Sequence, residues 1–423
     1  SGHLFLTGAR ATASVYYAGA DLYLLTSRED PFPSVVLEAL DVGLPVVAFA
    51  DGGGYAELLA EGWGDLVAMA DCAAMARCVL DRLNRPASEQ RAFAESARAL
   101  IAARYDFSDY LRDLLAMLDV RVHQVSVIVP NYNYARYLEV RLQSILAQTR
   151  KPREIIFLDD ASSDDSVALA ERLLAQSDIP CRIIANRENR GCFRQWDTGI
   201  EAAVGDLVWI AEADDIAESG FLEALVPCFE DPEVVLAYSQ SSQIDEHGHA
   251  LAPDYLAYTD DIDRVRWRAP YCRAGTDELR DTLVVKNTIP NVSAVVMRKP
   301  DLTPIAAQLH GLRNAGDWLA YAHLLEHGKI AYRPEALNRH RRHSGSLTLG
   351  EGRRRLMREI VAVQAEIMRR HPPSADIQAL IETVNARTYD YLELASARHP
   401  GWRDDPGIAD ARLGADGLSA TQP

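Results

Sequence analysis

GDLVWIAEADD, residues 205–215, passes from an apolar run into three carboxylates, Glu212, Asp214 and Asp215, within four residues. Like charges so close repel, in a chain whose formal net charge is already −17. An apolar run that ends in acid reads as a buried strand whose C-terminal end reaches a site. Carboxylates there are hard oxygen donors suited to Mg²⁺ or Mn²⁺, and such an ion can bridge phosphate oxygens and neutralise a leaving diphosphate. A solvated turn with Asp as helix N-cap is the competing reading of the same residues.

Working outward, the runs VSVIVPNYN (125–133), EIIFLDD (154–160) and CRIIANR (181–187) alternate with helical patterns. That alternation predicts a parallel α/β sheet, with ligands in the crevice at the strand C-terminal ends. Three of those ends carry polar or acidic clusters: PNYN (130–133), DDASSDDS (159–166) and AEADD (211–215). Residues 1–120 show a separate α/β alternation, and a boundary falls at 120–124. Beyond VVLAYSQ (234–240), the polar, aromatic-containing segment 244–282 reads as a lid or acceptor-binding loop. Residues 349–400 read as helices, and the small, polar, Gly-rich tail 401–423 as disordered.

Composition narrows the function classes. Asp plus Glu number 61 against 44 Lys plus Arg, which speaks against a nucleic-acid binder built on phosphate contacts. The six cysteines are scattered with no C-x-x-C pair, as in small buried side chains of a reducing compartment rather than a zinc site. No apolar run approaches the roughly 20 residues of a membrane span, and the signal-peptide pattern is missing at the first residues. A cytoplasmic location follows as the expectation.

The motifs in order, from VSVIVPNYN through LDDASSDDS and NRENRGCFRQWDTGI to WIAEADD, resemble the family-2 glycosyltransferases of the GT-A fold over about residues 124–345, within a domain expected at 124–348. The resemblance implies an inverting, metal-dependent enzyme that moves a sugar from a nucleotide-diphosphate donor to a saccharide or lipid-linked acceptor, in surface polysaccharide or glycoconjugate synthesis. It implies that Pro130, Tyr132 and Asp160 border the nucleotide, with Asp160 hydrogen-bonded to the base. Glu212 and Asp214 then occupy the acidic positions of the D-x-D motif beside Asp215, with Mg²⁺ or Mn²⁺ held there and weight resting on Asp214 and Asp215. Arg194 stands one turn before the family's usual Arg and could contact the donor. Asp317, in RNAGDWLAYAHLL, takes the position of the catalytic base, with Gly316 where a Glu is common. His343, in NRHRRHSGSLT, matches an element reaching metal or diphosphate. Asn287, Asn291, Ser293 and Trp318 are assigned to the acceptor or sugar pocket.

Residues 1–120 are similar to the C-terminal half of a GT-B glycosyltransferase of family 4. The match implies a donor-like site of Asp30, Glu38, Gly52, Gly53 and Gly54, in a partial Rossmann-like domain not expected to transfer sugar unaided. The glycines alone read as a tight strand-to-helix turn. In the C-terminal helices, EGRRRLMREIVAVQAEIMRRH puts Leu356, Ile360, Val363 and Ile367 on one face among arginines. Packing on the catalytic domain is the favoured reading, and peripheral contact with an anionic membrane the other. Two alternatives to the enzyme stand: a noncatalytic nucleotide-sugar-binding scaffold, or a bifunctional enzyme whose GT-B module is the main activity.

Overall fold

The computed structural model describes residues 14–117, 122–342, 352–395 and 399–413. The chain divides into two compact units, Ser1–Val122 and His123–Pro423.

In the first unit, strands β1 (Tyr23–Leu25), β2 (Val46–Phe49) and β3 (Gly64–Val67) form a parallel sheet in that order. Helix α1 (Ser34–Asp41) buries Val36, Ala39 and Leu40, the i, i+3, i+4 stripe of an amphipathic helix. Helices α2 (Cys72–Leu83) and α3 (Ala87–Arg104) complete the unit's α/β layering, with Ala97 and Ile101 of α3 joining the core.

The second unit is built on ten strands among the described residues. Strands β4 (Val125–Asn131), β5 (Glu154–Asp159), β6 (Cys181–Ala185) and β7 (Leu207–Ile210) run parallel in the order β6-β5-β4-β7. The chain moves outward from β4 to β6, then returns to the other side of β4 as β7. Order reverses there, and an open sheet leaves its ligand crevice at such a point. All residues of β4, β5 and β7 are buried. Ile128, Ile156 and Val208 face one core cluster while Val127, Ile155 and Trp209 face the other, the period-2 alternation of a sheet covered on both sides. Around the four lie α4 (Ala135–Leu146), α5 (Ser166–Leu174) and α6 (Cys192–Ala202).

Past β7 come the short β8 (Ile216–Ala217), the long β9 (Val234–Ile244), β10 (Ala250–Ala252), β11 (Tyr271–Ala274), β12 (Val295–Arg298) and β13 (Lys329–Arg341). β12 lies antiparallel between β7 and β9. β13 runs beside β9 through three register irregularities and pairs with β8, bringing Arg341 to the acidic end of β7. The segment 244–282, expected as a loop, is folded: it contributes β10, β11 and a buried Trp267 whose indole donates to Tyr238 Oη at 2.8 Å. Its aromatic residues found an apolar core to enter.

Helices α7 (Gly316–Leu325), α8 (Arg353–Arg370) and α9 (Ala375–Tyr391) close the unit. Val363 and Ile367 of α8 and Ile381 and Val384 of α9 belong to the same core cluster as Ile128 and Trp318. Arg353, Arg354 and Arg370 of α8 pair with Glu393, Asp405 and Glu326, so packing on the domain is the arrangement adopted. The segment expected to be disordered begins instead with α10 (Pro406–Leu413), because Trp402 and Ile408 bury against Met357, Val361 and Tyr389. Residues 414–423 lie outside the described ones. No helix among the described residues is long and apolar enough to cross a membrane.

Candidate active site

The loops after β4 and β5 are laced together. Asn131 donates to Asp159 Oδ1 at 2.9 Å and to Ser162 Oγ at 3.1 Å, and the Ala135 amide donates to Asp164 Oδ2 at 2.9 Å. Pro130 is buried within β4, while the Tyr132 ring is 47 % exposed at the rim. Asp160 is buried, and its carboxylate accepts from Asn186 Nδ2, the Arg190 and Gly191 amides and Gln195 Nε2 at 2.6–2.9 Å. A carboxylate offers about four lone-pair sites, and these donors fill them. Asp160 therefore orders loop 186–191 and the start of α6. Arg194 is exposed on that helix.

The acidic trio is not one uniform cluster. Asp215 is buried, and its Oδ1 accepts from the Arg341 amide at 2.8 Å, which turns it toward β13. Burial raises its pKa. Glu212 lies at the foot of α6, 3.8 Å from Cys192 Sγ, with its own amide donating to Ser293 Oγ at 3.1 Å. Burial first, then the charges of Asp214 and Asp215, push Glu212 up to about 8, against the opposing pull of the Trp196 indole and Arg141. The Asp214 carbonyl accepts from Arg341 Nε at 2.7 Å, and that guanidinium lies 4.5 Å over the Tyr137 ring.

Two residues invisible to the motif reading surround this trio. Arg141 of α4 is fully buried, 5.0 Å over the Trp209 ring, with none of its three nitrogens hydrogen-bonded among the described residues. Burial drops its pKa to about 10 while Asp215, Asp214 and Glu212 hold it up, so it is a fixed counter-charge to the acids. Tyr134 also faces Asp214 and Glu212, which together with burial raise its hydroxyl pKa.

The donor chemistry fits a hard divalent ion: clustered carboxylate oxygens, with Glu212 raised first by burial and then by its acidic neighbours. Asp214 and Glu212 are the residues that would hold it, beside Asp215, whose Oδ1 already accepts one hydrogen bond from β13. Among the described residues, the three-residue group whose metal-ligating atoms all fall within 4.8 Å of one another is a different one, His323, Glu326 and His327. There Glu326 is engaged by both its oxygens with Arg370 at 2.8–2.9 Å, an ion-pair knot rather than an open cation site. His343 lies outside the described residues.

Asp317 stands at the first turn of α7, Oδ1 accepting the Trp318 amide at 2.7 Å and Oδ2 accepting from Asn287 Nδ2 at 3.1 Å. Burial pushes its pKa up to about 6, against those two hydrogen bonds. Burial first, and the charges of Glu212 and Asp317 after it, raise the pKa of both Cys192 and Tyr321, so the two acids lie near the same two side chains. Asn287 thus meets the acid directly. Asn291 and Ser293 are buried and bonded within the fold, to Ser241 and Asn338 and to Trp209 and Glu212, and Trp318 sits in the core with its indole on the Leu283 carbonyl.

Gly316, where the resemblance would put Glu, is set by packing. A Cβ there would lie 2.3–2.6 Å from three carbons of the Phe193 ring on α6. Gly316→Ala should therefore destabilise the unit by about 1–3 kcal/mol, seen as a lower thermal midpoint and a shifted Asp317. An unchanged midpoint would mean that Phe193 moves aside freely.

The family comparisons fall on these elements. The model of glycosyl transferase family 2 matches residues 126–286, spanning β4 through β7 and the acidic trio. Residues 126–286 are thus similar to a family-2 glycosyltransferase domain. The model of glycosyl transferases group 1 matches residues 1–85 of the first unit. An uncharacterised glycosyltransferase of Nostoc is 38% identical over 114 residues, 26% of this chain and 34% of that protein. Glycosyltransferase GlyG of Streptococcus pneumoniae is 34% identical over 101 residues, 24% of this chain and 33% of its own. The chain thus spans about a third of the length of these relatives. Among solved structures, S. aureus TarS residues 1–349 in complex with UDP-GlcNAc aligns at 14% identity and TM-score 0.48, over 68% of this chain and 79% of that one. Asp317 and α8 lie outside the segment matched to the glycosyltransferase domain.

In the group-1 unit, loop 26–33 closes on the glycine triplet. The Asp30 amide donates to the Gly52 carbonyl and the Gly54 amide to the Pro31 carbonyl, both at 2.7 Å. Gly53 has φ 153°, and a Cβ there would lie 1.6 Å from the Asp30 carbonyl oxygen, so only glycine fits. The following α-helix is one turn, Tyr55–Leu58, before a wider turn takes over. Glu38 is exposed on α1, bonded to Ser34 at 3.1 Å. The tight-turn reading accounts for the glycines without a ligand.

Proposed function

We propose that the second unit transfers a glycosyl group, with inversion, from a nucleotide-diphosphate sugar to a hydroxyl of a saccharide or lipid-linked saccharide acceptor. The observation that supports this reading best is the family-2 glycosyltransferase match across the acidic end of β7, where Glu212 lies 3.8 Å from Cys192 Sγ and Asp317, at α7's start, is a second acid near that thiol. Asp214 and Glu212 would hold Mg²⁺ or Mn²⁺, which supplies neutralisation of the departing diphosphate. Tyr132 lines the nucleotide edge that Asp160 organises. Asp317 takes the acceptor's proton as its oxygen attacks the anomeric carbon from the face opposite the leaving group. With its pKa near 6, Asp317 is ionised at neutral pH yet basic enough to accept that proton.

A panel of nucleotide sugars, each with and without Mg²⁺ or Mn²⁺, should single out one donor that raises the thermal midpoint only with metal. At 100-fold saturation the gain is about 2.7 kcal/mol. The same donor should release nucleoside diphosphate on turnover. Binding without turnover on any acceptor would favour the noncatalytic scaffold.

A further inference from the structure

Helix α8 reaches the proposed base from two sides. Glu359, 6 % exposed, accepts the amide of Arg313 at 3.1 Å on Oε1, and those of Asn314 and Ala315 at 2.7 and 3.1 Å on Oε2. These are the residues that lead into α7. Ala315, the N-cap of α7, has no side chain able to cap, so a carboxylate from another helix satisfies the turn's donors. One turn further along α8, buried Gln364 donates to the Val285 carbonyl at 2.8 Å and is held there by a reciprocal pair with Asn385 at 2.8 and 3.1 Å. Val285 lies two residues before Asn287, whose amide bonds Asp317. Both protein segments that aim Asp317, 313–315 and 285–287, are therefore anchored on α8.

We propose that Glu359 is a positioning residue for Asp317, and that α8 belongs to the catalytic apparatus of the glycosyltransferase domain. The proposal rests on Asp317 being the base. The physical content is twofold. Three charge-assisted hydrogen bonds hold the approach to α7 at one height above the acceptor space, and a displacement of about 1 Å at a reacting group costs about 10²-fold in rate. The charge of Glu359 also reaches Asp317 and favours its protonated form. The other groups facing Asp317 are Tyr258 and Cys192 from neighbouring elements and Tyr321 on α7 itself.

Glu359→Gln keeps the length of the side chain but loses the charge and one accepting oxygen. Its kcat should fall about 10- to 100-fold with the donor KM within twofold of wild type. The acid limb of its pH–rate profile should move to lower pH, because a neutral neighbour lets Asp317 release its proton more readily. Glu359→Asp keeps the charge but is one methylene short, so kcat should fall with a smaller shift of that limb. A purely structural role would lower the folded fraction without moving the limb. Independently of turnover, hydrogen exchange on wild-type protein should find the Arg313, Asn314 and Ala315 amides as protected as the core of α7. Fast exchange there overturns the proposal, as does a Glu359→Gln enzyme with wild-type kcat and limb while Asp317→Asn is inactive. Full activity of Asp317→Asn would instead remove the base assignment on which it stands.

Discussion

Asp317→Asn should lower glycosyl transfer by about 10²- to 10⁴-fold in a protein that folds and binds donor as before. The substitution is nearly isosteric, and the amide oxygen can still accept from the Trp318 amide. The side of Asp317 facing Asn287 loses one hydrogen bond unless Asn287 turns over, a cost of about 1 kcal/mol. Lost rate therefore reports lost proton acceptance rather than lost structure. The wild-type pH profile supplies the second half of the test. A base must be ionised to act, and Asp317 is held up to about 6 by burial. Activity should thus be level above that pH and fall about tenfold for each unit below it, with no such limb in the residual activity of the variant. A variant that keeps full rate would assign the proton to another acceptor and reduce Asp317 to the cap of α7.

What the sequence made legible follows from the range of the physics involved. The sheet and the acidic trio are local: apolar period, strand length and a polar end are written within a few residues of one another, so β4 through β7 and WIAEADD could be read directly. Which acid does what is not local. Asp215 is engaged by β13, more than a hundred residues later, and Asp160 by donors from loop 186–191 and α6. Arg141 and Glu359 escaped attention although each leaves a trace. Arg141 sits on the buried stripe of α4 with Leu138, Leu142 and Ile145, and Glu359 between half-buried Leu356 and buried Val363 on the inward face of α8. A charge inside an apolar stripe calls for a buried partner, but the stripe cannot say which. The Trp in the Gly-rich tail is a similar trace: Trp402, together with Ile408, buries against Met357, Val361 and Tyr389.

Asp214→Asn is the second large effect, and its signature is a divergence between stability and activity. In the metal-free protein Asp214 is the foremost charge raising the pKa of Glu212, which reaches about 8. An acid whose folded pKa lies above its unfolded value stabilises the fold fully below the unfolded pKa, and that contribution is lost as pH rises through the folded one. Metal-free wild type should accordingly become more stable as pH falls from 8 toward 5, and Mg²⁺ should recover stability at the upper end. Neutralising Asp214 lets Glu212 ionise at lower cost, so Asp214→Asn without metal should unfold at a temperature equal to or about 2 °C above wild type near pH 8. Turnover should nonetheless fall by about 10²-fold or more, the scale of losing one electrostatic contact to a developing charge, and Mg²⁺ should no longer shift the melt. Calorimetry with and without Mg²⁺ at pH 6 and pH 8 reads all of this. A variant that melts several degrees lower while still responding to Mg²⁺ would mean that Asp214 is a turn residue. WIAEADD would then be a capped strand end, and the cation would have to sit elsewhere.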